Sequence, residues 1–249
     1  MVRDLHRRRG RERRGLVLLE GVRLVEEALA AGIGLRGAVI GPALEATPRG
    51  AALKAALGAA APRVEELGEA EFEALAATEH PQGVIAVADP PDWSLDQVRV
   101  TATATVLVLD GVQDPGNVGT MVRTALGLGA AGVIALPGTA EFTNPKVLRA
   151  TMGACFRLPC VVAADAALAD WLAGNRVELW VGDTTGERLA GRSGAGPLAV
   201  AVGNEGAGTR PELLVRAARR VAIPLAPGAE SLNVAVAAGI LLWEVTRGG

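Results

Sequence analysis

The sequence contains no tyrosine, three phenylalanines and four tryptophans in 249 residues. An interior with so few aromatic rings must be filled by Ala, Val, Leu and Gly, which favours helices packed closely on a sheet. Cysteine is equally scarce. Cys155 and Cys160 stand in no metal-ligand pattern, so neither a disulfide framework nor a metal site is implied, and a reducing, cytoplasmic compartment is expected. No apolar run has the length of a membrane span; even residues 231–243 fall short and carry Asn233. The first residues are charged rather than apolar, so no signal peptide is expected in them.

What is present is an apolar majority with a local charge excess. Half the residues are apolar, enough for a sizeable core, and the length suits one large domain or two ordinary ones. The formal net charge of −2 conceals Arg3, Arg7, Arg8, Arg9, Arg11, Arg13 and Arg14, set against only Asp4 and Glu12 in residues 1–14. Such an arm suits phosphates or another polyanion, with binding that weakens steeply in salt. The competing reading is a solvated, frayed first helix.

Hydrophobic periodicity gives an alternating chain. Strands are expected at 16–20, 36–41, 62–66 and 83–88, with helices at 21–31, 49–60 and 68–77. The stretch Asp89-Pro90-Pro91-Asp92-Trp93 is a stiff, polar break. It places a linker at 89–103, between a domain at 1–88 and a second at 104–249. In the second, strands are expected at 105–110, 132–136, 159–163, 177–181, 197–202 and 219–223, and helices at 115–128, 145–152, 166–174, 211–217 and 232–246. That alternation predicts an α/β fold, with a mostly parallel sheet covered by helices on both faces. A ligand would then sit beyond the strands' C-terminal ends.

One apparent motif fails on context. Gly127-Leu-Gly-Ala-Ala-Gly132 has the letters of a dinucleotide fingerprint, but a helix precedes it and a strand follows, the reverse of what that fingerprint needs. Three other stretches place polar, glycine-containing loops at strand ends. After Asp110, Asp114 can cap a helix that begins at Pro115 and carries Asn117, Thr120, Arg123 and Thr124. Arg123 suits a phosphate or carboxylate through its bidentate fork; the alternative is a surface Arg paired with an acid. Val200-Ala-Val-Gly-Asn-Glu-Gly-Ala-Gly208 runs a buried strand into Asn204 and Glu205, or simply into a glycine-rich turn. Residues 223–239 hold a Pro/Gly turn, Glu230, Ser231 and Asn233, then an alanine-rich helix. Here the plain reading is a helix capped by Ser231. In a parallel sheet the three loops can converge on one edge.

In this order, DPGNVGTMVRTA, VGNEGAG and IPLAPGAESLNVAVAAGI resemble the three signature motifs of the SpoU (TrmH-like) branch of the SPOUT RNA methyltransferases. NPKVLRATMGACFRLP at 144–159 resembles the family's intermediate segment. GLVLLEGVRLVEEAL and HPQGVIAV resemble the small substrate-binding domain often fused ahead of the catalytic one, so the resemblance spans nearly the whole chain. It implies a deep trefoil knot in the C-terminal domain, a cofactor pocket for S-adenosylmethionine, a homodimer formed through that domain, and methyl transfer to a ribose 2′-hydroxyl of RNA. Ribosomal RNA is the expected substrate and tRNA the runner-up. A non-catalytic RNA-binding or assembly factor of the same fold, or an enzyme acting on a small phosphorylated substrate, are the other classes.

By the same resemblance Gly203, Ile223 and Leu232 match cofactor positions, and Val202, Leu225 and Gly228 join them. Arg123 matches the essential arginine, with Asn117, Glu205, Ser231 and Asn233 around the substrate. Arg7, Arg8, Arg9, Arg11, Arg13 and Arg14 would meet RNA. Two positions depart from the pattern, Glu230 and Ala235, where family members often carry Ser. The chain also begins within what resembles the first helix of the N-terminal domain, so a few upstream residues are expected to be either missing or naturally absent.

Overall fold

The computed structural model describes residues 1–189 and 196–246. The chain forms two compact units, Met1–Asp92 with Phe142–Arg157, and Trp93–Glu141 with Leu158–Gly249. The first unit therefore takes in a segment that a division at 89–103 assigns to the second. Residues 190–195 and 247–249 of the expected 104–249 domain lie outside the described residues.

In the first unit, β1 (Val17–Glu20), β2 (Leu35–Ile40), β3 (Val64–Glu66) and β4 (Val84–Ala88) form a sheet in the order β1-β4-β2-β3. β4 runs antiparallel to β1 and β2, while β2 and β3 are parallel. The arginine-rich arm is helical over Val2–Leu5 and Arg8–Arg14. It is anchored rather than frayed, because Leu5 is fully buried against Leu18, Phe72 and Ile85. Arg11 faces inward at 6 % exposure and donates to the carbonyls of Leu5 and His6. Arg13 and Arg14 both bind Asp4 at 2.7 Å and Arg8 binds Glu12 at 2.8 Å, so Arg3, Arg7 and Arg9 carry most of the arm's outward charge.

Glu20, at the end of β1, is 5 % exposed. A buried carboxylate is tolerated only with donors around it. Glu20 accepts from the backbone N–H of Ala77 and Thr78, from the Thr78 hydroxyl, and from Arg149 at 2.9 Å. Arg149 lies on the helix Pro145–Thr151, and this ion pair is one reason residues 142–157 pack into the first unit.

In the second unit β5 (Thr105–Asp110), β6 (Gly132–Ala135), β7 (Cys160–Val162), β8 (Glu178–Arg188), β9 (Leu198–Gly203) and β10 (Arg219–Ala222) form one sheet, ordered β10-β8-β9-β5-β6-β7. Every pairing in it is parallel. β5 is buried at all six residues and β9 at all but Gly203, as Val/Leu/Ala-rich strands covered on both faces should be. The glycines at 127–132 do what the order of elements requires. The helix Pro115–Gly127 ends there, Gly129 turns the chain at φ +74, and Gly132 opens β6.

Three elements differ most from the sequence reading, the first being the helix expected at 68–77, which spans only Glu69–Glu73. β8 was expected at 177–181 but runs to Arg188. Trp180 and Val181 pair with Arg219 and Arg220, then the register jumps so that Glu187 and Arg188 pair with Val221 and Ala222. Residues 182–186 are left as a wide bulge, a device common beside active sites. The helix expected at 211–217 spans only Pro211–Leu214. By Ala218 the backbone already donates to Leu179, so the chain has to extend early to reach β10.

Candidate active site

The sheet order makes β10, β8, β9 and β5 consecutive neighbours, so their C-terminal loops leave the same edge. After β5, Asp114 caps the helix Pro115–Gly127 by accepting from Asn117 N at 2.7 Å, with Pro115 at the first helical position. The loop after β9 brings Glu205 onto this helix start. Its carboxylate accepts from Gln113 N, Asp114 N and the Asn117 side-chain amide, at 3.3, 3.4 and 3.1 Å. Asn117 Oδ1 in turn accepts from Asn233 Nδ2 at 3.0 Å. Asn233 Oδ1 caps the last helix by accepting from Ala235 N at 2.9 Å. The helix cap expected at Ser231 is thus supplied by Asn233. One hydrogen-bonded chain, Glu205–Asn117–Asn233, ties the three motif loops together.

Partial burial opposes ionisation of Glu205, but its own backbone N–H, the Asn117 amide and the N–H groups of Gln113 and Asp114 outweigh it. The carboxyl is held below its ordinary value. Because this pKa is depressed, the ionised chain is intact at neutral pH and is lost only as pH falls below the ordinary carboxylate range. Glu205→Gln keeps the shape but turns an NH2 group or a weaker acceptor toward three donors. Turnover should fall about 10- to 100-fold, on the scale of one misplaced positioning group. Single-turnover rates check this, and an unchanged rate would remove Glu205 from the site.

Beside this chain lies a cleft of about 870 Å³. Val202, Gly203, Ile223, Leu225 and Leu232, all expected at a cofactor site, line it, as do Glu205 and Ser231. Gly228 does not; it sits at the turn with φ +89. Gly203 is required by a close approach, since a Cβ there would lie 2.2 Å from Thr209 N. Asn204 braces the loop by donating to Gly111 O and accepting from Gly206 N and Ala207 N. Gly182, Asp183 and Thr184 of the β8 bulge form a further wall. The sequence carries a signal for them, since Gly182-Asp-Thr-Thr-Gly186 is also a polar, glycine-containing stretch at a strand end.

Arg123 is exposed on the helix Pro115–Gly127 and makes no ion pair among the described residues. It is not part of the cleft wall. A second, shallower groove of about 460 Å³ lies between the helices Pro115–Gly127 and Val234–Thr246, and Asn117, Thr120 and Thr124 reach it. Among the described residues no group of three or more His, Cys, Asp or Glu is placed to hold a metal ion. Burial pushes the Cys155 thiol up to about 11, which leaves it inert as a nucleophile at neutral pH.

An ion-pair clamp that the sequence reading missed supports the cleft from behind. Asp110, fully buried at the end of β5, accepts from Arg210 N at 2.8 Å and from its Nε at 2.6 Å. The other side of the guanidinium binds Asp165 at 2.6 and 3.2 Å. The Asp165 bond raises the Arg210 pKa, burial opposes the shift, and Asp110 adds to it. Arg210 closes the loop that begins at Gly203.

These features define an α/β protein with a ligand-sized cleft beyond the C-terminal edge of a parallel sheet, walled by the loops after β9 and β10 and tied to the loop after β5 through Glu205. Residues 104–243 match the SpoU rRNA Methylase family, and residues 1–86 match the MRM3-like substrate binding domain. The chain belongs to the SpoU rRNA methylase family. RlmP of Bacillus subtilis, a 23S rRNA (guanosine(2553)-2'-O)-methyltransferase, is 34 % identical over 244 residues, covering 98 % of this chain and 93 % of that protein. The structure of the SpoU methyltransferase AviRb from Streptomyces viridochromogenes, in complex with AdoMet, superposes with a TM-score of 0.87 at 28 % identity, covering 99 % of this chain and 95 % of the other. An AdoMet-bound rRNA methyltransferase from Sinorhizobium meliloti gives 0.87 at 30 % identity, covering 99 % and 93 %.

Proposed function

We propose that this protein transfers a methyl group from S-adenosylmethionine to a ribose 2′-hydroxyl of ribosomal RNA. The observation that carries the reading is the joining of three motif loops through the hydrogen-bonded chain Glu205–Asn117–Asn233, which reaches the cleft at Glu205 and the neighbouring groove at Asn117 and Asn233. The cleft fits the cofactor. Its volume suits a nucleoside bearing an amino acid, Ile223, Leu225 and Leu232 offer apolar contact to a base, and Gly203 lets the backbone come close. Bound there, the cofactor supplies an electrophilic methyl group.

The chain's own residues supply position and charge. Asn117, fixed by Glu205 on one side and Asn233 on the other, orients the ribose. Ser231, on the cleft wall, contacts substrate or cofactor. Arg123 grips the adjacent phosphate and helps to activate the hydroxyl. As a guanidinium that stays protonated, it acts by electrostatics and orientation rather than as a simple base. Residues 1–88 bind the RNA, with Arg3, Arg7, Arg8 and Arg9 as the exposed contacts. The relatives that align over the whole chain favour rRNA over tRNA. The deep knot belongs to the same proposal, supported by the way 203–209 and 223–232 face one cleft, as does a cytoplasmic location with the ribosome.

Transcriptome-wide mapping of 2′-O-methyl marks, with and without the gene, tests the reading. The expected result is one rRNA site lost and regained on complementation. A lost tRNA mark would move the substrate. RNA binding without transfer of labelled methyl would leave a non-catalytic factor.

A homodimer through the last helix is part of the proposal. Val236, Ile240 and Trp243 of the helix Val234–Thr246 are 52, 38 and 54 % exposed, and together they make an apolar stripe beside Thr120 and Thr124. Trp243→Glu should convert the dimer to a monomer in light scattering, with little change in the far-ultraviolet spectrum. A monomeric wild type, or a Trp243→Glu dimer of unchanged affinity, would exclude this face.

A further inference from the structure

Glu230 departs from the motif pattern the sequence resembles, and a carboxylate facing RNA phosphates would be a liability. The structure places it elsewhere, on the wall of the cleft. The ionisable side chains on that wall are Asp183, Glu205 and Glu230, with no Lys, Arg or His among the described residues lining it. The three carboxylates differ in how far they are already engaged. Glu205 is held by Gln113, Asp114 and Asn117. Asp183 Oδ1 accepts from Thr185 N at 2.8 Å and from its hydroxyl at 2.9 Å, while Oδ2 lies 3.7 Å from Arg220, which stands outside the cleft wall. Glu230 is exposed and makes no hydrogen bond or ion pair among the described residues. The cleft therefore presents net negative charge, with Glu230 as its least compensated member.

We propose that Glu230, backed by Asp183, makes this cleft a charge selector that favours the sulfonium cofactor over its spent thioether. The inference rests on the methyltransferase reading above. In that reaction the methyl–sulfur bond breaks and a methyl–oxygen bond forms. The sulfur keeps the electron pair, so the sulfonium cation becomes a neutral thioether, and the hydroxyl proton leaves to solvent. Substrate and product forms of the cofactor thus differ by one methyl group and one positive charge. Apolar walls and backbone contacts bind the two nearly alike, whereas a carboxylate wall distinguishes them. The effect is to load the cofactor and release its product, which limits product inhibition. A carboxylate sharing a water-screened cleft with a cation is worth about three- to tenfold in affinity.

Calorimetric titration of the full-length protein tests this with S-adenosylmethionine, S-adenosylhomocysteine and sinefungin, an analogue with a protonated amine in place of the sulfonium. Glu230→Gln should weaken the two cationic ligands about three- to tenfold and leave S-adenosylhomocysteine nearly unchanged. Asp183→Asn should act in the same direction. In the wild type, raising salt should narrow the preference. If Glu230→Gln weakens all three ligands equally, or none, the selector is overturned. Wild type that binds none of the three would instead overturn the cofactor reading beneath it.

Discussion

Arg123→Ala should abolish methyl transfer, by about 100-fold or more, while S-adenosylmethionine binds with near wild-type affinity. The size follows from removing a preorganised charge from a site where it acts chiefly in the transition state. The separation of the two readouts follows from the structure. Arg123 is exposed, is absent from the cleft wall, and makes no ion pair among the described residues, so its loss leaves the cofactor's surroundings intact. The helix that carries it is fixed by buried Val118, Met121, Val122 and Ala125, so the variant should fold as the wild type does, and thermal melting checks that directly. Arg123→Lys sharpens the assignment. If the guanidinium grips a phosphate by two parallel bonds, Lys should recover only a small part of the rate. Activity near that of wild type in Arg123→Ala would remove the residue from the mechanism.

The three motif loops were legible in the sequence because each is a polar, glycine-containing stretch at the end of an apolar strand, and together, in order, they match one set of motifs. Asn117 in the first turn of a helix, Glu205 in a loop and Asn233 at a helix cap follow different strands, and the parallel sheet brings them together without any local signal being needed. Secondary structure was legible for the same reason, since β5 and β9 are continuous Val/Leu/Ala runs. What could not be read depends on partners distant in the chain. The β8 bulge exists only because β10 pairs with both flanks of residues 182–186, and no local pattern encodes that. The capture of Phe142–Arg157 by the first unit depends on Arg149 meeting a carboxylate buried at the end of β1. Arg11 shows the limit of composition: it lies inside an arginine-rich arm, yet its guanidinium serves backbone carbonyls. Glu230 was the residue the motif pattern explained least, and the cleft wall gives it a role.

Arg210→Ala should be the most destabilising single change among the charged residues of the second unit. It strands Asp110, a carboxylate with no solvent exposure, without its guanidinium partner. Breaking a fully buried ion pair from one side costs about 3–5 kcal/mol; Arg210 is itself 36 % exposed and the backbone N–H of residue 210 still serves Asp110, so the loss should be about 2–3 kcal/mol, or about 5–10 °C in melting temperature. Asp165→Asn breaks the other half of the clamp, but Asp165 is 46 % exposed, so its loss should cost about 1 kcal/mol or less. Calorimetric melts of the two variants decide the point, and equal losses would show that burial of Asp110 does not set the cost. Adding Asp110→Asn to Arg210→Ala removes the stranded charge, so the double variant should regain part of the lost stability, a coupling a mutant cycle can measure. Cofactor affinity need not return with it. Arg210 ends the loop whose Gly203–Thr209 segment forms a cleft wall, and without the guanidinium bridging β5 to Asp165 that wall loses its brace even when the core is again free of unpaired charge.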